Sequence, residues 1–442
     1  MSQAPKTVVG YLPDEKPPIW KTILFALQQI LVMFPATVLV ALLTGFHVST
    51  TIFASGLATI CFLLVTRGKI PLYYGSSFSY IAAIVSITGV KEFGKVAEDA
   101  LISQAQFGVI MSGLVSIAAG LIINAFGHGK IEKVLPPTVT GSIAIVIGIS
   151  LAGIAITGAA GNGATGAAQN TAWVIAIVTL FATMLFSVYL KGTWGQLPIL
   201  FGIIVGYVTA LLFGVIDFSA VFAGNIIAVP HFTLPSPNLG AILAIMPIAI
   251  ATIPESTAHL YQLDIYVDHL AEQKGKKSYN IKDRLGMNLI GDGIGDIVSS
   301  MFGGPAGTNY GENLSTMAIT RNFSVYVLGA AAVITMIISF FTPLSNLVNT
   351  IPGAVIGGVS VYLFGIIGAQ GIAIMINRKV DLFDARNLAV ISTILVVGLG
   401  GNYGFPGGMI PFFGMQMPAI ATAALLGIVV NLILRIGLKD KI

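Results

Sequence analysis

The 442-residue chain is short of charge, of cysteine and of histidine. Only 9% of its residues are Asp, Glu, Lys or Arg, whereas soluble domains carry roughly 25%. With 55% hydrophobic residues and a mean hydropathy of +0.91, there is too little polar material to solvate a surface. A soluble globule is excluded and an integral membrane protein is expected. The single Cys61 lies in an apolar run and excludes an intramolecular disulfide, so thiol redox chemistry is not expected. The five histidines are scattered, and neither a nucleophile elbow nor a phosphate loop stands out. An enzyme, a resident metal and a cofactor are therefore not expected. Met1–Ile19 is polar and bears prolines, which does not read as a cleavable signal peptide, and the first apolar run begins at Trp20.

Long apolar runs are what the chain has instead. Helices crossing a core about 30 Å thick need about 17–25 such residues. Runs of this kind occupy 20–44, 49–66, 99–126, 137–157, 171–190, 195–217, 239–262, 286–302, 324–348, 353–375, 385–400 and 414–437. Two shorter segments, 76–90 and 311–321, each follow an extended stretch with Gly or Pro (Ile70–Gly75 and Gly303–Tyr310) and read as broken spans. The expected fold is thus an all-α polytopic membrane protein with 14 transmembrane segments, of which spans 3 and 10 are broken.

The positive charges test that count, because Lys and Arg collect in alternate, cytoplasmic loops. Starting inside, 20 of the 22 basic residues fall in such segments, from Lys6, Lys16 and Lys21 through Lys274–Arg284 to Arg435, Lys439 and Lys441, and only Lys91 and Lys95 do not. Omitting either broken span would invert every later loop. Both termini are expected in the cytoplasm, and the net charge of +4 reads as loop charge that orients the chain in a lipid bilayer rather than as a nucleic-acid surface.

Two glutamates stand where a membrane tolerates them least. Glu255 ends the apolar run Ala241–Pro254, and Glu312 follows the Gly-rich stretch before the second short segment. An ionisable group at membrane depth costs at least ~2.5–3.5 kcal/mol, so it normally faces a protein interior or cavity and marks a transport path. The chain also repeats itself. Tyr74-Gly75-Ser76-Ser77-Phe78 corresponds to Tyr310-Gly311-Glu312-Asn313-Leu314, and Leu135-Pro136-Pro137 to Ile351-Pro352-Gly353. Halves of roughly 1–235 and 236–442 with seven spans each must be inverted relative to one another. Such repeats place a site near the bilayer midplane, at the N-termini of half-helices. There Gly75 and Gly311 would clear space for a ligand, Phe78 and Tyr310 would stack on a planar ring, and Glu255 and Glu312 would accept from ring N–H groups. A nucleobase fits this description, whereas a simple anion would not seek two carboxylates. The bland readings stand beside it: Glu312 as a helix-end residue, His259 as a structural partner of Glu255, Phe78 and Tyr310 as packing, and Asp292 and Asp296 as partners of another core helix rather than a proton relay.

Asn309-Tyr310-Gly311-Glu312-Asn313 followed by Met317-Ala318-Ile319-Thr320-Arg321 resembles the pattern of bacterial uracil permeases in the nucleobase–ascorbate transporter family. Gly75-Ser76-Ser77-Phe78, Gly68-Lys69-Ile70-Pro71, Met33-Phe34 and Gly357-Gly358-Val359-Ser360 extend the likeness over nearly the whole chain. The resemblance implies proton-coupled uptake of uracil through the cytoplasmic membrane and, commonly, a homodimer formed through the gate. It also implies a core domain (1–130 with spans 1–4, and 236–350 with spans 8–11) moving against a gate domain (131–235 with spans 5–7, and 351–442 with spans 12–14). Carried onto this sequence, Glu255 and Glu312 hold the base, and Phe78 and Gly311 offer backbone groups. Tyr310, Ser77 and Phe364 belong to the substrate site, while Glu255 and His259 serve proton coupling. There are departures. Gln28-Gln29 replaces the usual Gln-His, Phe364 stands where Tyr is common, and Ser256 after Glu255 leans toward the purine branch, although purine carriers usually have Gln at position 312. Xanthine or another purine base is the alternative substrate, and an anion carrier of the same architecture is a further one.

Overall fold

The computed structural model describes residues 10–90, 92–127, 135–412 and 415–436. Lys6, Lys91, Lys130, Lys133, Lys439 and Lys441, with both chain ends, lie outside the described residues. Helices α1 (Ile19–Thr44) and α2 (Val48–Val65) open the fold. Strand β1 (Tyr74–Ser76), a 3-10 turn Phe78–Tyr80 and α3 (Ile81–Thr88) follow, then α4 (Asp99–Phe126), α5 (Pro137–Ser150), α6 (Ala152–Ala159), α7 (Gly166–Tyr189) and α8 (Pro198–Leu212). The second half holds α9 (Leu239–Ile245), α10 (Ala249–Gln273), α11 (Leu285–Met301), β2 (Gly307–Asn309), α12 (Gly311–Thr320), α13 (Val325–Ile338) and α14 (Thr342–Asn349). It closes with α15 (Gly353–Asn377), α16 (Ala385–Gly404), the hairpin β3 (Met409–Phe412) and β4 (Met415–Pro418), and α17 (Ala419–Arg435). Among the described residues, eight helical stretches are long and apolar enough to cross a membrane, and the protein is multi-pass.

The departures from the expected spans have local causes. The run 239–262 extends to Gln273 and carries a 3-10 turn at Met246–Ile248, where Pro247 lacks an N–H to continue the ladder. The run 324–348 splits at Ser339–Phe341, and Pro343 starts the next helix in its first turn, where a missing N–H costs nothing. The run 137–157 is interrupted at Leu151 between α5 and α6. The β3–β4 hairpin, with Met409 opposite Pro418, falls where the sequence suggested an outer loop and the start of the last span.

The two broken segments are bonded to each other. Strands β1 and β2 pair antiparallel with Tyr74 opposite Asn309 and Gly75 opposite Thr308, and each runs into a short helix. Buried side chains lock the pair to its neighbours. Ser55 and Thr59 of α2 both donate to the Tyr74 carbonyl at 2.9 Å. From α11, Asp296 accepts from the Tyr74 hydroxyl at 2.5 Å and from the Gly307 N–H at 2.8 Å. Irregular backbone at membrane depth survives only when its polar groups are satisfied in this way. Helices α4 and α11 pack backbone to backbone: a methyl placed on Gly113 would lie 2.6 Å from the Gly293 carbonyl, and one on Gly120 2.5 Å from that of Gly286. Small residues at such crossings let helices approach where lipid supplies no hydrophobic drive.

One apolar cluster, including Met33, Phe62, Leu260, Leu289, Leu314 and Ala331, draws only on segments 10–123 and 253–331. A smaller one, Ala172, Ile175, Ala210, Ala354 and Val355, draws only on α7, α8 and α15.

Ahead of α1, residues 10–18 form a strap. Tyr11 donates to the Arg321 carbonyl, Phe323 donates back to that of Tyr11, and Glu15 bridges Lys274 at 2.6 Å and Lys276 at 2.8 Å. Partial burial pushes the Glu15 carboxyl up, but the hydrogen bonds from Lys274 and Lys276 outweigh it and hold the group at about 2. A depressed carboxyl contributes stability that is fully present above its ordinary value of 4.5 and is lost as pH falls toward about 2. Glu15→Gln should loosen the strap at neutral pH, read as faster hydrogen exchange at the Tyr11 and Phe323 amides. Unchanged exchange there would count against the ion pair as its anchor.

Candidate functional site

A cavity of about 1170 Å³ opens beside the paired strands. Phe78 and Ser79 from the turn after β1, Glu255 and His259 from α10, and Gly311 and Glu312 from the start of α12 form one wall. Thr140 and Ile147 from α5 and Leu363, Ile367 and Gln370 from α15 form the other. Gln196, Asn377, Arg378 and Arg435 also line it, the last three of them exposed, so the cavity has a basic, open end.

The structure divides the four acids at the cavity and the strand pair, Glu255, Asp292, Asp296 and Glu312, into two classes. Asp292 accepts from Ser256 and, at 2.9 Å, from Asn309, while Asp296 is occupied by Tyr74 and Gly307. Both carboxylates are spent on holding β1 and β2, in line with the structural reading of these two residues. Glu255, by contrast, receives a single bond, from the Ser79 hydroxyl at 3.3 Å, and Glu312, in the first turn of α12, makes no ion pair among the described residues. Both line the cavity with acceptor capacity to spare.

The structure assigns other candidates differently from the sequence. Gly75 does not clear space for a ligand, because a Cβ there would lie 2.3 Å from the Tyr310 ring. Tyr310 is buried over that glycine, and its hydroxyl sits between Thr37 and the Ser76 carbonyl, 3.0 Å from each. Its ring therefore packs against the strand pair, although its edge reaches the cavity wall. A Cβ on Gly311 would meet His259 Nε2 at 2.8 Å, so this glycine admits the imidazole of α10, one turn beyond Glu255. Phe78 is half-buried and faces the cavity, and Ser77 is fully buried, accepting from the Ser79 N–H to start the turn. Phe364 is buried among Leu39, Leu42 and Val359 behind the wall, where Leu363 and Ile367 take its place.

Three side chains take roles that were not foreseen from the residues. Ser79 was not singled out, and its hydroxyl is the group that reaches Glu255. Ser256 is turned away from the cavity: it donates to Asp292 and accepts from Asn288 at 2.6 Å and Asn309 at 3.2 Å. Gln29, 2% exposed, accepts from Asn313 at 2.7 Å and ties α1 to α12 next to Glu312. The missing imidazole at position 29 is thus replaced by a structural amide.

The permease family model (Xan_ur_permease) matches residues 20–407. The chain belongs to the nucleobase–ascorbate transporter family of permeases. Curated members similar to it include the uracil permease of Bacillus caldolyticus, 37% identical over 95% of this chain and 94% of that protein. The uracil permease of Bacillus subtilis is 36% identical over 93% and 92%, and that of Escherichia coli K12 is 33% identical over 96% and 93%. Such relatives are transporters and not enzymes. Among solved structures, murine Slc26a9, an anion transporter in its inward-facing state, aligns with a TM-score of 0.65 at 12% identity, over 96% of this permease and 69% of that chain. The transmembrane domain of the cyanobacterial bicarbonate transporter BicA aligns with a TM-score of 0.54 at 13% identity, over 93% and 96%. At these identities the likeness concerns the fold alone.

Proposed function

We propose that this permease takes up uracil across the cytoplasmic membrane together with protons. The observation that carries the reading is the pair of carboxylates, Glu255 and Glu312, which face one cavity with acceptor capacity to spare, while the neighbouring Asp292 and Asp296 accept from Ser256, Asn309, Tyr74 and Gly307 beside the strand pair. Uracil is planar and offers two ring N–H donors and two carbonyls. The carboxylates accept from the ring N–H groups, the backbone at Phe78 and Gly311 meets the carbonyls at the helix starts, and the Phe78 ring packs on the face of the base. The names of the curated relatives point to the same substrate.

Transport proceeds by alternating access. The carboxylate wall belongs to segments 1–130 and 236–350 and the facing wall to 131–235 and 351–442, which serve as core and gate; one apolar cluster lies within each, and two more pack across their boundary. The rest of the reading is fourteen spans in two inverted repeats, cytoplasmic termini and a homodimer through the gate. The mouth at Arg378 and Arg435 then faces the cytoplasm, and this conformation is inward-open. Ser256, the residue that leaned toward purines, bonds inward and supplies no contact to a ligand, which favours the pyrimidine. An anion carrier would not line its cavity with two unpaired glutamates.

Radiolabelled uptake into proteoliposomes tests the substrate. Unlabelled uracil should abolish the signal, thymine should compete less, and xanthine and hypoxanthine should leave most of it. Xanthine competing as well as uracil would move the protein to the purine branch.

A further inference from the structure

The sequence offers no metal cluster, yet the fold gathers one from three distant points. His47 lies at the corner between α1 and α2, Asp99 is the first residue of α4, and His231 sits in the irregular segment between α8 and α9. His47 Nε2 is 3.3 Å from Asp99 Oδ1, and His231 Nε2 is 2.8 Å from Asp99 Oδ2. The two imidazole centroids are 4.3 Å apart, and a set of ligand atoms, one from each residue, falls within 4.8 Å of one another. A tetrahedral ion with bonds of about 2.0–2.2 Å holds its ligand atoms about 3.3 Å apart, so the trio needs only small shifts to close on one.

His231 is anchored independently of the other two residues. Thr50 donates to the His231 carbonyl at 2.7 Å, and two residues on, Thr233 exchanges hydrogen bonds of 2.8 and 2.9 Å with Gln106 of α4. Ser236 then donates to the Ser103 carbonyl at 2.8 Å. The irregular segment is thereby fixed against α2 and α4, and His231 is delivered to Asp99 without the ion. Side-chain exposures of 23% for His47, 54% for Asp99 and 55% for His231 leave an open side for water or an outside ligand. The site is remote from the cavity: Asp99 and the cavity-lining Ile123 lie on the same helix, 24 residues and thus about 36 Å apart.

We propose that His47, Asp99 and His231 bind one divalent transition-metal ion, Zn²⁺ suiting the set best. Two neutral imidazoles, one carboxylate and an open fourth position form a borderline-soft donor set, which disfavours Mg²⁺ and Ca²⁺. To bind, each imidazole turns its Nε2 lone pair to the ion and carries its proton on Nδ1, while Asp99 exchanges two N–H donors for the metal.

Tag-free protein in detergent micelles is titrated with Co²⁺, whose visible absorption reports geometry and stoichiometry, and Zn²⁺ is then added as competitor. The expected result is one Co²⁺ per chain with the strong absorption of a tetrahedral site, displaced by Zn²⁺ and unaffected by excess Mg²⁺. Loss of outer-shell partners alone costs 10–100-fold in affinity, so His47→Ala and His231→Gln should each weaken binding by at least about 100-fold. The second variant keeps a hydrogen-bonding group beside Asp99 and guards against misfolding. His269→Ala, which removes an exposed imidazole bonded to Gln273 elsewhere, should change nothing. Weak octahedral absorption only, or the same affinity in His231→Gln as in the parent, overturns the site.

Discussion

Replacing Glu312 by Gln should lower uracil affinity by about tenfold or more, measured by calorimetry on purified protein. The substitution keeps shape and volume and exchanges one acceptor oxygen for an N–H donor, which would then face a donor on the base. An unmatched group of this kind costs roughly 1–3 kcal/mol, and 1.4 kcal/mol is a factor of ten. Glu312 stands in the first turn of α12, where the helix dipole favours a carboxylate, and no protein cation competes for it among the described residues. On the proposed reading, the bond lost is one made to the base. Affinity unchanged in Glu312→Gln would remove this residue from the recognition site.

Glu255→Gln should have the larger effect on coupling. Glu255 is well inside α10, away from either helix end, with one hydroxyl partner and with His259 a turn further along the same wall. A carboxylate in that position can take up a proton on one side and release it on the other; an amide cannot. At saturating uracil, the variant should exchange labelled for unlabelled base across the membrane yet fail to accumulate it under a proton gradient, with the accumulation ratio falling toward unity. If Glu255→Gln accumulates uracil like the parent, another group carries the proton. Gln29 is not that group, since its amide is committed to Asn313 and does not titrate.

Much of this was legible in the residues, for reasons that differ from element to element. The span α4 reads directly as 99–126, because an unbroken apolar run with no interior proline has one structure available in a membrane. The extended stretches at Tyr74 and Gly307 announced themselves through Gly and Pro in otherwise apolar surroundings. That they pair with each other was not legible, since the register joins residues some 235 positions apart. The same limit explains Gly75. A glycine before a half-helix is equally consistent with a ligand or a neighbour above it, and only the packing puts the Tyr310 ring there. Ser256 looked like a specificity residue from its place next to Glu255. Consecutive helix residues point about 100° apart, however, which sends its hydroxyl to Asp292 while Glu255 faces the cavity. The His47–Asp99–His231 cluster spans 184 residues of sequence, and no spacing rule detects such a site.

Proton-coupled transport stands on one measurement above the others: uptake of labelled uracil into proteoliposomes with an imposed pH gradient, with a sodium gradient of equal size as the control. Accumulation should rise with the inward proton gradient, collapse when a protonophore dissipates it, and ignore sodium. Uptake that follows sodium and is indifferent to pH would contradict the account.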